Sequence, residues 1–148
     1  FSTSHNGWLK QYRRMVSTPT YYKVCEDLLR DVYEVFDKPR FIHIGCDEAA
    51  KPNCPECLAS DYRALVISHI RALHEGLKAR GAQTMLWHDM FLKSGDERWK
   101  GFYANGTEET VKALESFPRD MVICDWFYGK KKEKQPEEAA GNSKLIVF

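Results

Sequence analysis

The sequence predicts an α/β fold built around a parallel sheet. Three observations carry that expectation. Short apolar, β-branched runs begin near residues 41, 82, 121 and 144; segments with helical periodicity lie between them; and the chain has 148 residues, enough for several such units. A strand, helix, strand rhythm implies right-handed crossovers and a sheet that is either open or closed on itself. A closed eight-stranded barrel of this kind needs about 250 residues, so this chain holds about half of one.

The first element follows "STPT". Thr18 can N-cap a helix with Pro19 at its first position, where a missing N–H is no loss, and Tyr21, Cys25, Leu28, Leu29, Val32 and Phe36 then recur at helical spacing, so a helix is expected over 19–36. After "DKP", Phe41 to Cys46 is apolar apart from His43 and Gly45, which predicts a nearly continuous buried strand. Over 59–79, Tyr62, Leu65, Val66, His69, Ile70, Leu73 and Leu77 form one stripe, and Gly81 supplies the stop expected just past a helix. His69 and His74 on that helix read as packing or surface residues. "AQTMLWHDM" (82–90) predicts the next strand. Thr107, with Glu108 and Glu109 behind it, opens a shorter helix near 107–117, and "MVICDWFY" (121–128) is the third strand. The run "GKKKEKQPEEAAGNSK" (129–144) reads as a solvated loop or an outer helix turn, and "KLIVF" begins a fourth strand.

Composition narrows the function. A chain of 148 residues suits one hydrophobic core, so residues 1–148 are treated as one unit, and 43% hydrophobic with 29% charged residues places it among globular proteins. A net charge of +1 supplies no general field for nucleic acid or an anionic membrane, and no apolar run reaches the length of a membrane span. The start "FSTSHNGWLK" has no signal-peptide pattern and no initiating Met, and together with the apolar end it suggests an excerpt of a longer protein. The five cysteines are too few and too scattered for a disulfide scaffold. Cys54 and Cys57 in "NCPEC" have metal-ligand or redox spacing, but a structural zinc site needs four ligands and no second such pair occurs. They are weak metal candidates, and neither a metal nor a cofactor is expected.

In parallel α/β folds the functional face lies at the carboxyl ends of the strands. Asp47 and Glu48, Trp87 to Asp89, and Trp126 to Tyr128 all fall there. Each cluster alone has a plain structural reading, since carboxylates cap helices and aromatic residues pack. Three successive strands ending in aromatic or acidic residues on one rim favour a site.

The stretch from 5 to 128 resembles glycoside hydrolase family 20, the β-N-acetylhexosaminidases. The family's signature is His or Asn, any residue, Gly, a small residue, then Asp-Glu, and it stands here as His43, Ile44, Gly45, Cys46, Asp47 and Glu48. The flanks extend the match: "YRRMVSTPTYYKVCEDLLRDVYEVF" resembles the helix before that strand, and "MLWHDM" the next strand, with a Trp ahead of an acidic residue. The resemblance implies a portion of a parallel (β/α) TIM barrel, about strands 4 to 7 with their helices, incomplete in this chain. It implies that Glu48 is the general acid and later the base, and that Asp47 holds the substrate's 2-acetamido group. Trp87 and Trp126 match aromatic residues that wall the acetamido pocket and the sugar, with Tyr128 on the same rim. Asp89 is expected to support that rim, and His43 either to hydrogen-bond the catalytic strand or simply to pack. His5 in "STSHNGW" matches, in a divergent context, a family His that neighbours the acid. The implied substrate is an N-acetylhexosamine-containing oligosaccharide or glycoconjugate. The family's sugar-gripping Arg would lie before residue 1, and its Tyr and Asp near the seventh strand would lie after Phe148.

The chemistry accounts for the residue types. Most retaining glycosidases set a nucleophilic carboxylate about 5 Å from the acid across the sugar, and this family is an exception in which the substrate assists. Adjacent residues on a strand face opposite sides, so Asp47 and Glu48 are poorly placed to flank a scissile bond as nucleophile and acid. Other readings are a conventional two-carboxylate barrel glycosidase and a non-catalytic sugar-binding or zinc-stabilised interaction module. An apolar strand ending in Asp-Glu also occurs in phosphate-loop ATPases, but the required G-x-x-x-x-G-K-[ST] loop is missing.

Overall fold

The computed structural model describes residues 18–49, 55–125 and 145–147. The predicted helices form close to their expected bounds. Helix α1 is Pro19–Val35, and the Thr18 side chain accepts the Tyr21 N–H at 3.2 Å, satisfying one of the N–H groups that a first turn leaves open. A short helix α2 is Pro55–Leu58. Helix α3 is Tyr62–Ala79, with Asp61 as N-cap accepting from the N–H groups of Arg63 and Ala64. It stops at Gly81, whose φ of 79° lets the Gly81 N–H reach Lys78 O and the Ala82 N–H reach Leu77 O. Helix α4 is Glu108–Ala113, opened by a reciprocal cap between Thr107 and Thr110.

Strands β1 (Phe41–His43), β2 (Gln83–Trp87) and β3 (Val122–Cys124) lie side by side and parallel, as expected. Strand β4 (Leu145–Val147) corrects the expectation of a fourth parallel strand, because it pairs antiparallel to β3, Val122 opposite Val147 and Cys124 opposite Leu145. A parallel return needs a crossover helix with an apolar stripe to lay on the sheet. The run 129–144 offers no such stripe, and an antiparallel return needs none.

One face of the sheet carries the core. Thr84 and Leu86 of β2 are fully buried beneath α3, which lies between α1 and α4. Ile70, Leu86, Met90, Phe91, Ala113, Phe117, Met121 and Ile123 form the larger cluster, in which the Phe91 and Phe117 rings meet edge to face at 5.1 Å. Ile42, Leu77 and Ala82 form a second cluster under Leu29, Val32 and Tyr33. Burying each large aliphatic side chain there contributes about 1.5–3 kcal/mol. His74 belongs to this interior as well: it is 2% exposed and bonded through Nδ1 to Thr84 Oγ1 at 3.0 Å. It lies on the same side of α3 as Ile70 and Leu77, a position that apolar periodicity alone passes over.

Two expectations about burial fail. Only Ile42 of β1 is buried: β1 has β2 as its sole strand neighbour among the described residues, and Phe41 and His43 face the side of the sheet opposite the core. On α1, Leu28 and Phe36 are 52% and 69% exposed, so the helix rests on its Leu29, Val32 and Tyr33 side instead of the whole predicted stripe. No helix among the described residues is long and apolar enough to cross a membrane.

Candidate active site

The rim is built where β1 and β2 end. Ladder bonding continues past His43, with the Ile44 N–H on Met85 O at 2.8 Å and the Trp87 N–H on Gly45 O at 3.0 Å, so "IGCDE" leaves the strand along the edge of β2. The chain then bends sharply. Gly45, Cys46 and Glu48 have φ of 78°, 70° and 46°, a left-handed geometry that is costly for the two residues with a Cβ. Asp47 and Glu48 therefore follow the strand instead of standing on it, so strand alternation does not set the directions of their side chains. Both side chains are exposed.

What holds this bend is Asp89, in the 3-10 turn Asp89–Phe91 just after β2. Its side chain is 0% exposed, and its Oδ2 accepts the Glu48 N–H at 3.0 Å and the Asn105 amide at 2.9 Å. A buried carboxylate with such donors is in good order, whereas one without them would be costly. The expectation that Asp89 supports the rim thus has a geometric form: it lies behind the acidic pair and grips its main chain. Asn105 carries no sequence signal, since it belongs to no motif and stands on a loop 16 residues beyond Asp89.

His43 joins the two strand ends. Its Nδ1 accepts the Gly45 N–H at 3.0 Å, and its ring lies 4.4 Å from that of Trp87. Both residues face the side of the sheet opposite the core, as alternation along the strands requires. Partial desolvation lowers the pKa of His43, and the nearby Asp47 opposes that shift in part. Burial pushes the Cys46 thiol up to about 12, with the Asp47 and Asp89 carboxylates adding to it, so this cysteine stays protonated and weakly reactive at neutral pH. His88 ties the rim of β2 to that of β3: its N–H donates to Cys124 O at 3.1 Å, and its Nδ1 lies 3.4 Å from Asp125 Oδ1.

The structure thus brings together His43, Asp47, Glu48, Trp87 and Asp89. Trp126, Tyr128, His5 and Cys54 lie outside the described residues, as does the side chain of Cys57 in α2. A concavity lined by Leu114, Phe117, Pro118, Arg119, Met121 and Ile123 sits toward the start of β3, away from the carboxylates, and contains none of the rim residues.

The family model described as glycosyl hydrolase family 20, catalytic domain, matches residues 3–147. The chain belongs to glycosyl hydrolase family 20. A comparison with curated proteins gave no match. The catalytic domain of family 20 is a TIM barrel, and the three parallel strands with helices on one face are consistent with that architecture. Membership makes this a glycoside hydrolase chain of the class that acts on N-acetylhexosamine, with hexosamine-containing glycans as the substrate class.

Proposed function

We propose that the chain, as one partial barrel domain over residues 1–148, removes β-linked N-acetylhexosamine by substrate-assisted, retaining catalysis. In this reading β1, β2 and β3 are barrel strands four to six, and β4, which runs antiparallel to β3, is not counted among the parallel barrel strands. Glu48 protonates the departing glycosidic oxygen while the 2-acetamido carbonyl oxygen attacks the anomeric carbon. The C–O bond to the leaving group breaks as the ring of the cyclic intermediate closes. Glu48, now a carboxylate, then takes a proton from the water that reopens that ring and restores the β configuration. Asp47 orients the acetamido group and offsets its developing positive charge. Trp87, and by the family resemblance Trp126, give flat apolar walls to methyl and C–H groups, with Tyr128, His43 and His5 completing the rim.

The observation that supports this most is the pinning of Glu48 to buried Asp89 at the carboxyl end of β1, next to Trp87. A loop glutamate with no task has no need of a left-handed backbone and a buried anchor. The mechanism is tested by comparing aryl β-glycosides with and without the 2-acetamido group on the protein. The acetamido substrate should turn over faster by at least about 100-fold, since the oriented internal nucleophile is then missing from its competitor. Comparable rates would favour a two-carboxylate mechanism, and no turnover of either would favour a sugar-binding module.

A further inference from the structure

We propose that Asn105 is a positioning residue for Glu48, acting through Asp89. The inference rests on the reading of Glu48 as the acid/base group. Asp89 offers one buried oxygen, Oδ2, to two donors: the main-chain N–H of Glu48 at 3.0 Å and the side-chain amide of Asn105 at 2.9 Å. The first bond anchors a residue with φ of 46°, a conformation that glutamate does not keep without restraint. The second sets where that oxygen stands. A turn of the Asp89 carboxyl group would release the Glu48 backbone, and the Glu48 carboxyl group would move with it.

Asn105 is itself delivered with little freedom. Its own N–H donates to Asp89 O at 2.9 Å, so one residue holds Asp89 through both main chain and side chain. The next residue, Gly106, donates to Leu92 O at 2.8 Å and accepts from the Ser94 N–H at 2.9 Å. A Cβ there would come within 2.5 Å of Met90 O and 2.6 Å of Leu92 O, so this close approach of backbones admits only glycine. Asn105 is otherwise exposed. The contact order is Gly106 docking the loop, Asn105 fixing Asp89, and Asp89 fixing Glu48.

The test uses Asn105→Ala and Asn105→Asp, the second keeping the shape while replacing the donor with an acceptor. Hydrogen exchange is read at the Glu48 amide, with the Leu86 amide in the core as reference, and kcat and KM are measured on an aryl N-acetyl-β-glucosaminide. The Glu48 amide should exchange faster in both variants while Leu86 is unchanged. kcat should fall between about 10- and 100-fold, with KM held within about twofold, because the loss is in aim and not in sugar binding. An unchanged Glu48 amide, a parallel rise at Leu86, or wild-type kcat in either variant would overturn the proposal. If wild-type protein and Glu48→Gln turned over equally, the acid/base reading would fall by itself, and the Glu48 amide would still decide whether Asn105 holds that backbone.

Discussion

The residues around the acidic pair are fixed by hydrogen bonds whose direction matters. His43 can accept the Gly45 N–H only while its Nδ1 carries no proton. Desolvation places its folded-state pKa below the ordinary 6.5, so protonation favours the unfolded chain. The stability contribution is complete above pH 6.5, declines as pH falls below that value, and levels off once the folded imidazole has itself titrated. Following the His43 ring protons by NMR against pH should give a midpoint under 6.5; a midpoint at or above it would show that the Gly45 bond and the desolvation do not govern this ring. Much of the site at this scale is legible in sequence, because His43 and Trp87 each end a strand beside the Asp-Glu pair and Asp89 follows two residues after Trp87. Asn105 is not legible, since its partner is brought to it only by the fold. The left-handed turn at Cys46 and Glu48 is equally hidden, because neither residue type signals positive φ.

Among the elements, the helices follow their end signals closely. Thr18, Asp61 and Thr107 each cap as their side chains allow, and Gly81 ends α3 through a conformation that other residues adopt only at a cost. What periodicity could not settle was which positions of α1 meet the sheet and which way β4 runs, for both depend on neighbours and not on local pattern. The loop carrying Asn105 offers a direct trial of backbone docking. Gly106→Ala puts a methyl group 2.5 Å from Met90 O with only backbone to give way, so it should destabilise the fold by about 1–3 kcal/mol. Chemical denaturation would measure this, and an unchanged midpoint would show that the loop is not seated as described.

For the whole molecule, one sheet face is packed under helices while the other presents Phe41, His43, Met85 and Trp87 on the side where the acidic pair emerges. That asymmetry is what a barrel wall has: helices outside, and an inner side whose upper end carries chemistry. The α/β class and the parallel order of three strands were readable from the alternating runs, and the family from the signature at 43–48 with its flanks. The central claim is that Glu48 moves the proton. It is tested most directly by comparing wild-type protein with Glu48→Gln on aryl N-acetyl-β-glucosaminides of differing leaving-group basicity. Loss of the acid should lower kcat by about 100-fold or more, and by most for the most basic leaving group, which depends most on receiving a proton. Equal rates in the two proteins, or a loss independent of the leaving group, would contradict the assignment.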